Sequence, residues 1–299
     1  MLNRPGAALE GIGYMVLATA FFAVLDVTTK YAAASVPVVM ALAVRYLFQA
    51  VISSAVLLPV HGRSLWRVAH PRLQMLRGAL LTLTTVLTLL SLKTMPVGEF
   101  AAILMVTPML VTVLAVYFLK EKVSGLHWLF VVGGLAGALL IVRPGGHGGL
   151  GWSALIPAGC VVASTVFQLL SSHLGRLENP ATTHFWSVWF GAAVGALTLP
   201  WFWVLVDSPW SWAMLLLMGA AGAAGHFLLA TAYQHAPAST LMPYLYGNIA
   251  FAVLGGWLVF AHVPDAWAWA GIALIACCGV SSAWLTGRER GPAVLPPEI

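Results

Sequence analysis

Long apolar segments alternate with short polar connections along almost the whole chain. Each apolar segment is close to the ~20 residues that an α-helix needs to cross the hydrocarbon core of a membrane. Ten segments, bounded by Pro, Gly or charged residues, lie at 11–32, 37–60, 72–93, 97–118, 125–142, 151–173, 181–205, 211–235, 239–260 and 266–286. The pattern predicts an all-α integral membrane protein with ten transmembrane helices.

The composition agrees with this prediction and leaves no room for a separate soluble domain. Of the 299 residues, 61% are hydrophobic and 8% are charged, and the mean hydropathy is +0.92. Soluble domains carry about 25% charged residues. The net charge of +5 is spread over the short connections, so we expect no nucleic-acid partner. Cys160, Cys277 and Cys278 all lie in apolar segments and are predicted to be free thiols.

The Lys and Arg residues predict the orientation, because basic residues are retained on the cytoplasmic side of a membrane. One set of alternate connections holds Arg4, Arg63, Arg67, Arg72, Arg77, Lys120, Lys122, Arg176, Arg288 and Arg290. The other set holds Lys30, Lys93 and Arg143, and Arg45 is left inside a span. Both termini are therefore expected to be cytoplasmic.

An internal repeat relates the two parts of the chain. When residues 77–144 are laid on the later sequence with a constant offset of 141, Gly78 falls on Gly219 and Trp128 falls on Trp269 without a gap. A weaker match with an offset of 138 relates the first helix of each part. The sequence therefore predicts two copies of one structural unit.

The number of spans in each copy predicts how the two copies are oriented in the membrane and what kind of protein they form. Halves at 1–146 and 147–299 contain five predicted spans each, and an odd number forces the second half to enter the membrane in the opposite sense. Inverted repeats of this kind are typical of secondary transporters, with the substrate site near the middle of the membrane. We therefore predict two inverted five-helix repeats around a central cavity, and transport by alternating access.

One stretch also carries a family resemblance. Between Pro108 and Gly137, the predicted exit of helix four reads Leu119-Lys120-Glu121-Lys122, and Trp128 follows. This stretch resembles the EamA repeat of the drug/metabolite transporter superfamily, and the resemblance covers nearly the whole chain. It implies a ten-helix carrier of the bacterial inner membrane that exports small organic metabolites, and the chain is similar to exporters of aromatic amino acids. In the second repeat, His262 stands where the glutamate corresponding to Glu121 is usual.

Other classes of protein are less compatible with the sequence. The nine histidines are scattered singly, and no HExxH, GxSxG or Walker sequence occurs, so we expect neither an enzyme nor an ATP-driven pump, and no cofactor or metal. Membrane lipid and a small-molecule substrate are the expected partners, and the oligomeric state stays open. A passive channel, or a carrier of drugs, sugars or nucleotide-type metabolites, remains the alternative.

Asp26, Lys30 and Arg45 lie inside predicted spans, where a charge is costly and usually faces a partner or a water-filled cavity. Asp26 and Lys30 lie four residues apart on one helical face, so they form either a self-neutralised pair or a gate at which Lys30 contacts a substrate carboxylate. Arg45 either holds a substrate carboxylate or pairs with a distant acid such as Asp26.

The ninth predicted helix contains the clearest substrate-site candidates. It includes Pro243 and Gly247, which weaken a helix, and interrupted helices form substrate sites in many transporters. Tyr244 and Asn248 share a face of this helix, whereas Tyr246 points elsewhere. The remaining candidates for the cavity wall are Gln168, His226 and Trp186.

Overall fold

The computed structural model describes residues 6–94, 97–142, 155–260 and 265–289. Within these ranges the chain forms α-helices joined by short connections, and no β-strand is present. The helices are α1 Ala7–Ser35, α2 Val38–His61, α3 Pro71–Thr94, α4 Val97–Leu104, α5 Val106–Phe118, α6 Gly125–Val142, α7 Leu155–Gly175, α8 Pro180–Phe202, α9 Pro209–His235, α10 Ala238–Leu245, α11 Gly247–Phe260 and α12 Ala266–Glu289. A short 3-10 helix, Gly62–Trp66, follows α2.

The predicted class, an all-helical membrane protein, is confirmed. Within the described ranges, seven helical segments are long and apolar enough to cross a membrane, and shorter apolar helices accompany them. Large apolar side chains also cover the outside of the molecule, as expected for a surface that faces lipid rather than water. Among the most exposed are Val51, Val60, Tyr117, Leu197, Leu205 and Val280.

Two of the predicted spans are broken near their middle. The span predicted at 97–118 consists of α4 and α5, with a turn at Met105, and the span at 239–260 consists of α10 and α11, with a turn at Tyr246. Pro108 in the first turn of α5 and Pro243 within α10 cannot donate a backbone hydrogen bond, which weakens the helix at both places. The interruption of the ninth span follows from Pro243 and Gly247, as expected.

Helices pack in pairs along the bundle. α1 lies along α9, α2 along α8, α3 along α7 and α6 along α12. Small residues allow close approach at these contacts: a Cβ added to Gly137 would lie 2.9 Å from the carbonyl oxygen of Gly271, and one added to Gly195 would lie 2.7 Å from the Cα of Ala43. Gly137 and Gly195 are therefore used for close packing between helices of the chain.

Contacts between distant parts of the sequence bring several helix ends together. The ring of Tyr14 in α1 lies 5.3 Å from that of His235 at the end of α9, and His127 in α6 lies 3.4 Å from the Thr286 hydroxyl of α12. These contacts place the start of α1 and the end of α12 at one end of the bundle, which we call the terminal end.

Part of the charge interpretation has to be corrected. Arg77 was assigned to a connection, but it lies in the second turn of α3 and its side chain is fully buried, so it carries no information on orientation. Cys160, Cys277 and Cys278 are free thiols, as predicted. The predicted boundary between repeats at 146/147, together with Arg4, Arg143, Arg290 and His262, lies outside the described residues.

Candidate functional site

Asp26 of α1 and Asn248 of α11 meet in the interior of the bundle. The Asn248 side-chain amide donates to Asp26 Oδ2 over 2.7 Å, and both residues are partly buried. The helix break at Tyr246 makes this contact possible, because it starts a new helix at Gly247 and places Asn248 in its first turn. Two candidates that lie 222 positions apart in the sequence are thus brought together.

A cavity of about 220 Å³ adjoins this pair. It lies between α1, α3, α4 and α11, and its polar wall is formed by Asp26, Lys30 and Asn248, with Phe100 and Leu104 among the apolar residues. Lys30 and the neighbouring Leu92 are near the ends of α1 and α3, so the cavity reaches toward the end of the bundle opposite the terminal end.

Of the two alternatives for Asp26 and Lys30, the structure contradicts the self-neutralised pair. Lys30 Nζ donates to the carbonyl oxygen of Leu92 over 2.8 Å, near the C-terminal end of α3, where helix carbonyls lack a partner within the helix. The Asp26 carboxylate is instead satisfied by the Asn248 amide. Each of the two side chains therefore forms its hydrogen bond with another helix. The Lys30 side chain also lines the cavity.

Arg45 of α2 and His226 of α9 form the second contact between predicted site residues. Arg45 Nη2 lies 3.3 Å from His226 Nε2, and both side chains are buried. The rings of Phe22 and Phe167 lie 5.0 Å and 6.0 Å from the His226 ring and shield it on two sides. The charges of Asp26 and Arg45 are near enough to interact, yet no ion pair within 4 Å joins these two described residues.

The remaining candidates lie elsewhere. Gln168 of α7 accepts a hydrogen bond from the Tyr233 hydroxyl of α9. Trp186 donates to the carbonyl oxygen of Leu65 over 3.1 Å and lies beside the 3-10 helix, away from the central contacts. Both residues are used to hold helices together.

Tyr244 and Tyr246, the two tyrosines of the ninth span that are candidates for the substrate site, lie in different surroundings. Tyr244 lines an apolar cavity of about 420 Å³ between α1, α10, α11 and α12. Tyr246 is fully buried at the helix break and packs so closely that a Cβ on Gly134 would lie 2.4 Å from its ring. Tyr244 thus faces open space, whereas Tyr246 fills the contact between the break and α6.

Arg77 was not anticipated as an interior residue. Its guanidinium donates to the hydroxyls of Ser171 at 2.8 Å and Ser187 at 2.6 Å, and to the carbonyl oxygen of Thr183 at 3.3 Å. Its charge also stacks over the ring of Phe167 at 4.7 Å. The only signal in the sequence was its position after the start of an apolar segment.

Glu121 was expected to mark a helix exit, but it also closes the terminal end. Its carboxylate accepts from Arg176 at 2.5 Å, after α7, and from the backbone N–H of Ser239 at 2.9 Å, in the first turn of α10. A polar pocket of about 270 Å³ adjoins these contacts and is lined by Glu121, Ser239 and His127 among others. In the described part of the chain, no cluster of His, Cys, Asp or Glu suits a metal ion.

Comparison with known proteins identifies the class to which this architecture belongs. Residues 9–143 match the EamA-like transporter family. A solved crystal structure of another protein has the same fold, with a TM-score of 0.78 and 20% sequence identity, and the match covers 97% of this chain and 100% of that one. The match over residues 9–143 agrees with the predicted resemblance to the EamA repeat of the drug/metabolite transporter superfamily.

Several curated relatives extend the comparison over most of the chain. The riboflavin transporter of Rhizobium johnstonii is 29% identical over 91% of this chain and 90% of its own length. The S-adenosylmethionine uptake transporter of Rickettsia felis is 24% identical over 86% of each chain. The pseudopaline exporter CntI of Pseudomonas aeruginosa is 27% identical over 91% of this chain and 96% of its own length. These relatives are transporters of small molecules, and the prediction that this chain is a transporter and not an enzyme is confirmed.

Proposed function

We propose that the protein is a secondary transporter that moves a small organic metabolite across the bacterial inner membrane by alternating access. Its solute site comprises the Asp26–Asn248 and Arg45–His226 contacts. The observation that carries the proposal is the Asp26–Asn248 contact between α1 and α11, which lies on the wall of a cavity inside the bundle. The Arg45–His226 contact between α2 and α9 lies near enough for the charges of Arg45 and Asp26 to interact. Polar groups at such depth are costly unless they serve a solute or its coupling ion.

The proposal includes two inverted five-helix repeats, 1–146 and 147–299. Met105 and Tyr246, at which the two broken spans turn, lie 141 positions apart, the same offset that relates Gly78 to Gly219. By the same offset α3 corresponds to α9 and α6 to α12. Ten spans result when α4 with α5, and α10 with α11, each count as one interrupted span.

The closed terminal end supports a carrier over a passive channel. α5 packs against α10 at this end, whereas α4 and α11 form no comparable contact among the described residues, and the Asp26 cavity lies on their side. A carrier exposes its site to one side at a time, and inverted repeats exchange the two arrangements. We assign the terminal end to the cytoplasm because most Lys and Arg residues of the connections lie there.

The family resemblance makes amino acids, including aromatic ones, the first solutes to test, with export as the expected direction. The separated charges of Asp26 and Arg45 support a zwitterionic solute, whose ammonium and carboxylate groups need partners of opposite sign. Riboflavin and S-adenosylmethionine form the second candidate class, because the relatives carry these names. Relatives include both uptake and export proteins, so the direction in the cell is tested separately.

The test is uptake into proteoliposomes that contain the purified protein, with empty liposomes as the reference. Radiolabelled L-phenylalanine, riboflavin and S-adenosylmethionine are supplied in turn, with and without an imposed pH gradient. Saturable uptake of one solute, competed by the same unlabelled solute, is the expected result. Flux of all three equal to that of empty liposomes contradicts these solute assignments, and uptake that never saturates favours the channel.

A further inference from the structure

Arg45 carries a buried charge that its surroundings do not neutralise. The side chain is 4% exposed, and among the described residues its only hydrogen-bond contact is with His226 at 3.3 Å. Arg45 Nε has no partner, and no carboxylate oxygen of the described residues lies within 4 Å of the guanidinium. The Asp26 carboxylate is near enough to interact with this charge but does not contact it. A buried cation without a counterion in contact is unfavourable, so this arrangement requires an explanation.

The neighbouring polar groups lack partners as well. Neither the oxygen nor the nitrogen of the Gln49 side-chain amide, one turn after Arg45 in α2, makes a hydrogen bond, and the same holds for His226 Nδ1. Buried polar atoms are normally satisfied in proteins, and a cluster of unsatisfied ones points to a group that binds there. Arg45, Gln49 and His226 therefore all carry buried polar atoms without partners where α2 packs against α9.

Arg45 and Gln49 pack against Gly222 of α9. A Cβ added there would lie 3.2 Å from Gln49 Oε1 and 3.4 Å from Arg45 Nε, so even a methyl group would press on the side chains that lack partners. His226 follows Gly222 by one helical turn and faces the same side of α9. Arg45 Nε, which lacks a partner, thus lies beside a position of α9 that carries no side chain.

Arg77 shows what a structural arginine looks like in the same bundle. It is also fully buried without a carboxylate, but it makes hydrogen bonds to Ser171, Ser187 and Thr183 and stacks on Phe167. Those contacts join α3 to α7 and α8. Arg77 Nη2 lacks a partner as well, but the Arg45 guanidinium has fewer contacts: it lies 5.3 Å from the ring of Tyr46 and reaches His226, with no hydroxyl or carbonyl partner among the described residues.

We propose that Arg45, with Gln49 and His226, is the receptor for an oxyanion group of the transported solute, a carboxylate or a phosphate, and that it sets the preference of the carrier for solutes bearing that group. A guanidinium matches both groups because it presents its N–H donors in a planar fork. The inference rests on the proposed transport function and adds the chemical class of the solute. Bound solute supplies the negative charge that the buried guanidinium lacks.

The first test measures binding to the purified full-length protein in detergent with two pairs of probes. L-Phenylalanine is compared with L-phenylalaninamide, which lacks the carboxylate, and riboflavin 5′-phosphate with riboflavin. In at least one pair, we expect the compound that carries the carboxylate or the phosphate to bind roughly 10- to 100-fold more tightly than the compound that lacks it. The pair that shows this preference distinguishes a carboxylate from a phosphate.

Substitutions at Arg45 connect the preference to the residue. Arg45→Gln is expected to abolish the preference, and Arg45→Lys, which keeps the charge but loses the fork, to restore part of it. Tighter binding of the compounds that lack the carboxylate or the phosphate overturns the inference. So does an unchanged preference in Arg45→Gln.

A second test needs no ligand. Thermal unfolding of Arg45→Met is compared with that of Arg77→Met, which replaces an equally buried arginine. Arg77→Met is expected to lower the melting temperature by several degrees because it leaves Ser171 and Ser187 unpaired. Arg45→Met is expected to leave it unchanged or to raise it, since an uncompensated charge is removed.

The comparison of the two melting temperatures tests the role of Arg45 even if the proposed transport function is wrong. If none of the four probes binds, the solute classes are contradicted, but the role of Arg45 is still tested. Equal losses of melting temperature in the two variants make Arg45 a structural residue and overturn the inference.

Discussion

Arg176 Nη2 and Glu121 Oε1 form an ion pair at 2.5 Å that joins the connection after α5 to the residue following the end of α7. The second carboxylate oxygen of Glu121 accepts from the backbone N–H of Ser239 at the start of α10. One side chain thus links both predicted repeats at the terminal end. Alternating access requires this end to open, so these contacts must break during the transport cycle.

The first prediction concerns this closure. Glu121→Gln removes the charge that holds Arg176, so the terminal end is expected to open more often. The measurement is the rate at which a membrane-impermeant maleimide labels Thr240→Cys, in a background without Cys160, Cys277 and Cys278. Thr240 is 6% exposed and lines the adjacent pocket, so labelling reports opening. We expect a severalfold faster reaction.

Glu178→Gln is the matched control for this experiment. The Glu178 carboxylate also lies after α7, where it accepts from the backbone N–H groups of Ala69 and His70 at 3.0 Å and 2.9 Å, but it does not contact α10. Labelling should stay near the rate of the unchanged protein. Equal acceleration in both variants would show that loss of any carboxylate loosens this end.

The second prediction concerns the Asp26–Asn248 contact. Asp26→Asn keeps the size of the side chain but removes its charge, and hydrogen bonds to charged groups contribute about 1.5–3 kcal/mol. We expect the initial rate of uptake to fall roughly 10- to 100-fold while protein yield is retained. Thr28→Ala is the control, because the Thr28 hydroxyl is bonded only within α1. Full uptake by Asp26→Asn would remove this pair from the solute site.

The third prediction concerns His226 and Tyr244. His226→Ala removes the hydrogen-bond partner of Arg45, and Tyr244→Ala enlarges the apolar cavity between α1 and α12. Each change is expected to lower transport severalfold, and more than it lowers protein yield. Uptake rates normalised to the amount of reconstituted protein provide the measurement. Unchanged transport in both variants would show that neither side chain serves the solute.

The fourth prediction tests the packing of α6 on α12. A Cβ at Gly271 would lie 2.5 Å from the carbonyl oxygen of Gly137, and this backbone atom has little freedom to move. Gly271→Ala should therefore reduce the free energy of unfolding by about 1–3 kcal/mol. Thermal unfolding in detergent is the measurement.

Gly13→Ala is the control for Gly271→Ala, because a Cβ at Gly13 meets no atom within 4 Å. Alanine is favoured over glycine within helices by up to about 1 kcal/mol, so this variant should be as stable as the unchanged protein or more so. Similar destabilisation by both substitutions would contradict the account of close helix approach.

The helices were largely predictable from the sequence, because apolar length and flanking Pro, Gly and charged residues determine which segments can cross a membrane. The break at Tyr246 was also predictable, since Pro243 and Gly247 flank it. The break at Met105 was not predicted, although Pro108 lies in the middle of the predicted span 97–118, where a proline weakens a helix.

The partners of the polar residues were predicted less well. Helical spacing placed Asp26 and Lys30 on one face, but it contains no information on how α1 rotates against α3 and α11, where their actual partners lie. Glu121 contacts residues 55 and 118 positions away, which no local pattern links to it. Packing between helices, rather than the sequence within one of them, selects these contacts.

Trans-acceleration is the most direct test of the central claim that the protein is a carrier with an alternating site. Proteoliposomes are loaded with unlabelled solute or with buffer, and the initial uptake of the same labelled solute is compared. The account predicts faster uptake into the loaded vesicles, because a carrier returns with solute bound, and loss of this effect in Asp26→Asn. Equal initial rates in loaded and empty vesicles, together with flux that rises linearly with concentration, would contradict the carrier and establish a passive channel.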